Sequence, residues 1–202
     1  MILVSHFDPF GGQIINASRE VAVLLSSVRD DLKIIELPTA FEDSSLLLIA
    51  ELTKETPDLL VMLGQAEGRT HVTPEMVAIN WKESSTEDNN GYLARGERIS
   101  PEGPVAFFTG LPVKKIVGSL QSEGLPVSVS LTAGSFVCNS LFFSIMEYIG
   151  VNRLDIPAGF VHIPCVPSQA VGKRALPTMD ALLSARIILR IIEISIEESN
   201  VC

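Results

Sequence analysis

Leu59-Leu60-Val61-Met62-Leu63 is a run of five apolar residues behind Asp58 and ahead of Gly64, and its reading decides the fold class. A strand with one solvated face alternates apolar with polar residues. This run is apolar at every position, as is a strand covered by helices on both sides. Outward from it, residues 2–6, 33–37, 127–131 and 159–163 read as further strands, with residues 76–81 a further candidate after Pro74. Helical patterns lie between them at 16–25, 43–55, 112–123, 138–149 and 178–198. Asn16 or Ser18 caps the first, Pro112 and Gly124 bracket the third, and Thr178 starts the last. In the fourth, Cys138, Leu141, Phe142, Ile145, Met146 and Ile149 share a face at helical spacing. This alternation predicts an α/β chain, one domain over residues 1–202, with a mixed, mainly parallel central sheet. The polar stretch 82–104 is the least regular, and it reads as a lid or a hairpin excursion.

Composition narrows the function. The chain has 202 residues, 47% of them hydrophobic, which suffices for a sizeable core. Its formal net charge of −9 repels phosphate backbones and anionic lipid, so nucleic-acid and membrane partners are not expected. Residues 1–5 are apolar but lack the basic flank of a leader peptide, and no apolar run approaches a membrane span. Cys138, Cys165 and Cys202 are too few for a disulfide framework, so a reducing, cytoplasmic setting is expected. No Cys-x-x-Cys or His-Glu-x-x-His occurs, and His162-x-x-Cys165 crosses a proline, so neither a metal nor another cofactor is expected.

Cys138 follows a strand and the small-residue turn Thr132-Ala133-Gly134-Ser135, and it opens a helix. Strand, tight turn, nucleophile, helix is the layout of a nucleophile elbow. The positive end of the helix would lower the thiol pKa, and its free N–H groups would hold an oxyanion. The same position suits a buried small hydrophobe, and pattern alone favours that. His162 sits at the carboxyl end of a strand, where α/β sheets bind ligands, and could deprotonate a thiol. A core histidine would look the same; His6 and His71 are the only others. Glu75, ahead of the apolar run 76–79, could orient a histidine or be a solvated acid.

Four segments together resemble one family. They are Phe7-Asp8-Pro9-Phe10-Gly11-Gly12 with Asn16-Ala17-Ser18; Gly64-Gln65-Ala66-Glu67-Gly68-Arg69 with Thr73-Pro74-Glu75-Met76-Val77-Ala78-Ile79-Asn80; Thr132-Ala133-Gly134-Ser135-Phe136-Val137-Cys138-Asn139; and Gly159-Phe160-Val161-His162-Ile163-Pro164. In this order and spacing they resemble the pyroglutamyl peptidases of type I, or pyrrolidone carboxyl peptidases. The resemblance implies an α/β/α sandwich. It also implies a cofactor-free cysteine exopeptidase that removes N-terminal pyroglutamate from peptides through a thioester. By motif position the triad is Glu75, Cys138 and His162. The implied pocket is Phe7, Phe10, Phe136 and Val137, with Gln65 bonding the lactam through its backbone. Its partners are pyroglutamylated peptides.

Three positions depart from the resemblance. His6 stands where the family has glycine, and Cys165 where an aromatic residue is frequent. Ser85 stands where the bacterial pattern has arginine, followed by Thr86 in place of an apolar residue. Arg95 and Arg98, later in the same stretch, are alternative cations. The Ser85 departure motivates a second reading, a weak or inactive homologue that binds pyroglutamyl peptides. A nucleoside phosphorylase-like enzyme is a third, disfavoured by the lack of a phosphate cradle. The apolar perimeter of residues 187–196 predicts a homo-oligomer, or else a helix covered by its own domain.

Overall fold

Residues 59–63 form most of β3 (Leu59–Gln65), the middle strand of a five-stranded sheet, in a computed structural model describing residues 1–199. Cys202 lies outside the described residues. Around β3 the chain supplies β1 (Ile2–Phe7), α1 (Ala17–Ser26), β2 (Leu32–Leu37) and α2 (Asp43–Lys54) before it. After it come β4 (Thr73–Pro74), β5 (Val77–Ile79), β6 (Lys82–Glu83), β7 (Arg95–Glu97) and β8 (Ala106–Phe108). Helices α3 (Val113–Ser122) and α4 (Val137–Asn152), strand β9 (Ala158–Ile163), a single 3-10 turn at Pro167–Ala170 and helix α5 (Ala181–Ser199) complete the described order. The sheet order is β2-β1-β3-β9-β4, parallel except for the antiparallel β4–β9 pair.

The unbroken apolar run has its expected cause. Successive side chains of a strand point to opposite faces. Leu59, Val61 and Leu63 enter one apolar cluster with Val21 and Leu25 of α1, Ile116 and Leu120 of α3, and Ile188 and Ile191 of α5. Leu60 and Met62 enter a second with Leu48 and Leu52 of α2 and Leu141, Phe142 and Ile145 of α4. The fold is therefore the expected α/β/α sandwich. On α5, Ile187, Ile188, Ile191, Ile192 and Ile194 are all buried within this chain. The apolar perimeter of that helix is covered by its own sheet and neighbouring helices.

Local details correct three expectations. Residues 127–131 are not a regular strand; they make isolated parallel bridges, Val72 to Val127 and Glu75 to Ser130. Pro74 accepts from Ser130 N–H on that side but has no N–H to return, so the ladder is interrupted. Helix α5 begins three residues later than expected. Asp180 caps it by accepting from the N–H groups of Leu182 and Leu183, while Thr178 is held in a bridge to Cys165. The 76–81 region does form a strand, but β5 pairs with β8 in a separate two-stranded sheet. Helix α3 ends as its sequence predicts: Gly124 has φ +74° and Leu125 N–H reaches Leu120 O at 2.9 Å.

The 82–104 stretch contains the hairpin β6–β7. It is tied down by the buried Asp88 carboxylate, which accepts from Phe41, Asn90 and Tyr92 N–H groups at 2.9 Å each. β6 is pinned to the turn before α4, with Glu83 N–H donating to Ser135 O at 3.0 Å and Ser135 Oγ donating to Glu83 O at 2.8 Å.

Candidate active site

Three elements bring Glu75, Cys138 and His162 to one place. His162 lies on β9, directly opposite Gly64 of β3. Cys138 is the second residue of α4, which packs across this face. Its sulfur lies over Gly64: a Cβ built there would stand 3.1 Å from Sγ and 2.7 Å from the Phe160 ring. Only glycine leaves room for the thiol beside the histidine. Glu75 follows β4, and its N–H donates to Phe160 O at 2.9 Å, which sets its side chain beside His162. Glu75 Oε1 and His162 Nδ1 are 2.7 Å apart, both residues buried. A carboxylate accepts only, so Nδ1 carries the proton and Nε2 is left with a free lone pair.

Cys138 and His162 line one cavity of about 150 Å³ with Phe7, Phe10, Asn16, Thr39, Gln65, the 133–135 turn and Phe136. Its walls are mostly apolar. Phe136 packs against Phe10 with ring centres 5.6 Å apart and meets Phe41 edge-on at 5.3 Å. Gln65 faces the cavity, but its side chain is engaged elsewhere. Its Oε1 accepts from Ala17 N–H and from Gln169 Nε2, both at 2.8 Å, so its backbone is the part left for a ligand. Val137 stands apart from the other expected pocket residues. As the first residue of α4 it turns toward the sheet, fully buried in the second apolar cluster and outside this lining.

The electrostatics of the resting site differ from the expectation of a lowered thiol pKa. Burial pushes the Cys138 thiol up to about 12, and Glu75 adds to the rise, while Arg69 and the backbone at Cys138 oppose it. A helix macrodipole is worth at most about 2 kcal/mol, roughly one and a half pKa steps, and desolvation outweighs it here. Burial also lowers His162, against the opposing pull of Glu75. Both directions favour the neutral thiol and the neutral imidazole over an ion pair.

Several residues went unassigned in the sequence. Arg69 Nη1 donates to Glu75 Oε1 at 2.7 Å. Asn139, fully buried beside Cys138, fastens α4 to the β5 segment through Ile79 N–H, Ile79 O and Trp81 O at 2.9–3.0 Å. Gln169 holds Gln65 from the loop after β9. Each stands in or near a quoted motif except Gln169, for which no sequence signal exists. The expected cations lie elsewhere: Arg98 bonds Ser100 O and Gly103 O, and Arg95 is exposed on β7. Ser85 and Thr86 are exposed on the hairpin, outside the cavity lining. Cys165 is fully buried and off the cavity, His71 is exposed, and His6 faces Glu36. Among the described residues no cluster of three or more metal-ligating side chains occurs, and no helix is long and apolar enough to cross a membrane.

Known proteins resemble this chain in both sequence and fold. The sequence signature of the family described as pyroglutamyl peptidase matches residues 1–200. The pyrrolidone-carboxylate peptidase of Bacillus velezensis is 43% identical over 177 residues, 86% of this chain and 82% of that protein. Pyrrolidone-carboxylate peptidase 1 of Caldanaerobacter subterraneus is 43% identical over 180 residues, 88% and 89% of the two chains. Among solved structures, pyroglutamyl peptidase I of Bacillus amyloliquefaciens superposes with a TM-score of 0.89 at 38% identity, covering 96% of this chain and 94% of its own. Pyrrolidone carboxyl peptidase of Pyrococcus furiosus superposes at 0.92 with 29% identity, over 98% and 99%. With the signature and the fold both matched over nearly its whole length, the chain belongs to the pyroglutamyl peptidase family.

Proposed function

We propose that the chain is a cysteine exopeptidase that hydrolyses the N-terminal pyroglutamyl residue from peptides, with Cys138 as nucleophile, His162 as base and Glu75 as its orienting carboxylate. The observation that carries this is an aromatic cavity lined by both the Cys138 thiol and His162, with Glu75 bonded to His162 at 2.7 Å from behind the lining. Pyroglutamate is a flat lactam without a free α-amine. Phe7, Phe10 and Phe136 suit its ring, and the Gln65 backbone suits its amide edge. An ordinary N-terminus would carry an ammonium into the same apolar slot at a much higher desolvation cost. Residues 1–202 serve as one domain for this chemistry, since both apolar clusters share one sheet.

His162 Nε2 takes the thiol proton as sulfur attacks the pyroglutamyl carbonyl carbon. N–H groups at the start of α4 receive the oxyanion. The tetrahedral species expels the peptide amine, which takes its proton from the imidazolium, and a thioester remains. Water then gives a proton to His162, attacks the thioester carbonyl, and pyroglutamate leaves as the sulfur regains its proton. No step calls for a metal or cofactor. The test is turnover of pyroglutamyl-β-naphthylamide beside the same arylamide of proline, which lacks the lactam carbonyl. Hydrolysis of the first with little of the second is expected. Equal rates would remove the lactam specificity.

Ser85 bears on the rate. It lies two residues beyond Glu83, whose backbone is bonded to Ser135 of the cavity wall, and we infer that the longer side chain of an arginine at 85 would extend to the cavity mouth. One oxyanion donor is typically worth about 10²–10³ in turnover. Ser85→Arg is therefore expected to raise kcat by at least about tenfold with little change in KM. An unchanged kcat would mean that the site already has its full complement of donors.

The setting and assembly are further parts of the proposal. A free-thiol nucleophile suits the reducing cytoplasm. A homo-oligomer no longer rests on α5, whose isoleucines are covered, but on the exposed apolar residues Val23, Val28 and Leu182 at the α1–α5 edge. Sedimentation is expected to show a species larger than the monomer; a monomer at micromolar concentration would overturn it.

A further inference from the structure

Glu75 is wholly buried, and its second oxygen, Oε2, has no hydrogen-bond partner among the described residues. Everything that satisfies this carboxylate converges on Oε1, which takes His162 Nδ1–H and Arg69 Nη1–H at 2.7 Å each. A buried carboxylate with so few partners is costly unless a cation compensates it. The guanidinium is itself held on two more sides. Nη1 also donates to Thr73 Oγ1, and Nη2 donates to Thr132 O at 3.1 Å. Thr132 opens the turn that leads into α4, and its own Oγ1 accepts from Gly134 N–H at 3.1 Å. One planar side chain thus joins Glu75 and the end of β4 just before it to the turn that delivers Cys138. A fork of fixed donors does this where a point charge such as lysine would not.

We propose that Arg69 is the positioning residue of the triad, clamping Glu75 to the turn before Cys138 and placing a fixed positive charge against the carboxylate that holds His162. The proposal rests on the peptidase reading for its assay but on the geometry for its argument. The charged groups that bear on His162 are Glu75 and Arg69; β3 offers only Gly64 and Gln65 opposite, and α4 offers the Cys138 thiol. Glu75 favours the protonated imidazole and Arg69 disfavours it. Without Arg69 the buried carboxylate would find its cation in His162 itself. A protonated His162 cannot take the thiol proton, so activity would be lost at a higher pH than in the wild type.

The experiment uses the whole chain as wild type, Arg69→Gln and Arg69→Lys. It reads kcat/KM against pH on pyroglutamyl-β-naphthylamide and, independently of any substrate, the rate of Cys138 alkylation by iodoacetamide against pH. In Arg69→Gln the acid limb of both profiles is expected to move up by about one pH unit. Its kcat at neutral pH should fall about tenfold or more with little change in KM. Arg69→Lys keeps the charge without the fork, so its acid limb should move less than that of Arg69→Gln while kcat still falls. If Arg69→Gln does not fold, Arg69→Lys alone decides: wild-type kcat and limb in it would overturn the clamp. Acid limbs unmoved in a folded Arg69→Gln, or a loss confined to KM, would overturn the proposal. A wild type that alkylates with the expected shift between variants, yet leaves the arylamide intact, would overturn the peptidase reading and keep Arg69 in its role.

Discussion

Cys138→Ala is expected to bring pyroglutamyl arylamide hydrolysis to the floor of the assay, a loss on the order of 10⁵–10⁶ in kcat. In the proposed mechanism the acyl group is bonded to this sulfur in the intermediate, and the other thiol among the described residues does not reach the cavity. Cys165 is fully buried beyond the cavity, under the bridge to Thr178. Thermal stability should change by no more than about 1 kcal/mol, because the substitution removes one half-buried atom beside an open cavity. Substrate binding should survive, since the aromatic walls and Gln65 are untouched. A mutant that keeps wild-type turnover would refute the nucleophile. A wild type as inactive as the mutant, with both binding a pyroglutamyl peptide, would instead make the chain a binding homologue. Iodoacetamide should modify Cys138 faster than Cys165. The reason is access to the cavity and a neighbouring base, because burial raises both thiols.

The difference between that reason and a helix-dipole argument shows where sequence stops. The unbroken run 59–63 was enough for a two-sided sheet, since no other arrangement buries five consecutive strand side chains. The spacing of Cys138, Leu141, Phe142 and Ile145 likewise foretold which face of α4 is buried. Element ends marked by Gly, Pro and turn residues made Cys138 and His162 candidates, but their grouping with Glu75 came from the motif resemblance and not from local pattern, which equally suited a buried cysteine and a solvated acid. What sequence lacked was the third dimension of charge. A helix N-terminus can be read from residues 132–138, but the desolvation that overrides it comes from Phe160, β3 and β9, which are distant in the chain. Pairing chemistry was equally hidden. Pro74 reads as a local break, yet its consequence appears at residues 127–131, more than fifty positions away. Val137 and Phe136 are neighbours in one motif, but the first turn of a helix sends one to the core and the other to the cavity wall. Gln169 acts on Gln65 from 104 residues downstream, and no local pattern announces such a partner.

Glu75→Gln is the second large effect expected, a fall of about 10³–10⁴ in kcat. The substitution keeps size and shape but replaces an acceptor-only group by an amide. In the wild type, Oε1 accepts Nδ1–H, which fixes the proton on Nδ1 and frees Nε2 for the thiol. An amide can present its NH₂ to Nδ1 instead, so the ring proton moves to Nε2 and the base is lost. Even in the correct tautomer, a neutral amide no longer stabilises the imidazolium formed as sulfur attacks. The pH profile separates this from a general loss of folding. Glu75 pulls His162 toward the protonated form, so its removal lowers the imidazole further, and the acid limb of the residual kcat/KM should move to lower pH. That direction is opposite to the one expected for Arg69→Gln, although the two side chains meet at the same oxygen. Loss of the carboxylate charge also relieves the thiol, so alkylation of Cys138 should extend to lower pH in Glu75→Gln. A folded Glu75→Gln with wild-type kcat would end the role of Glu75 in orienting His162. A limb moving in the same direction in both variants would mean that they act by loosening the site and not through charge.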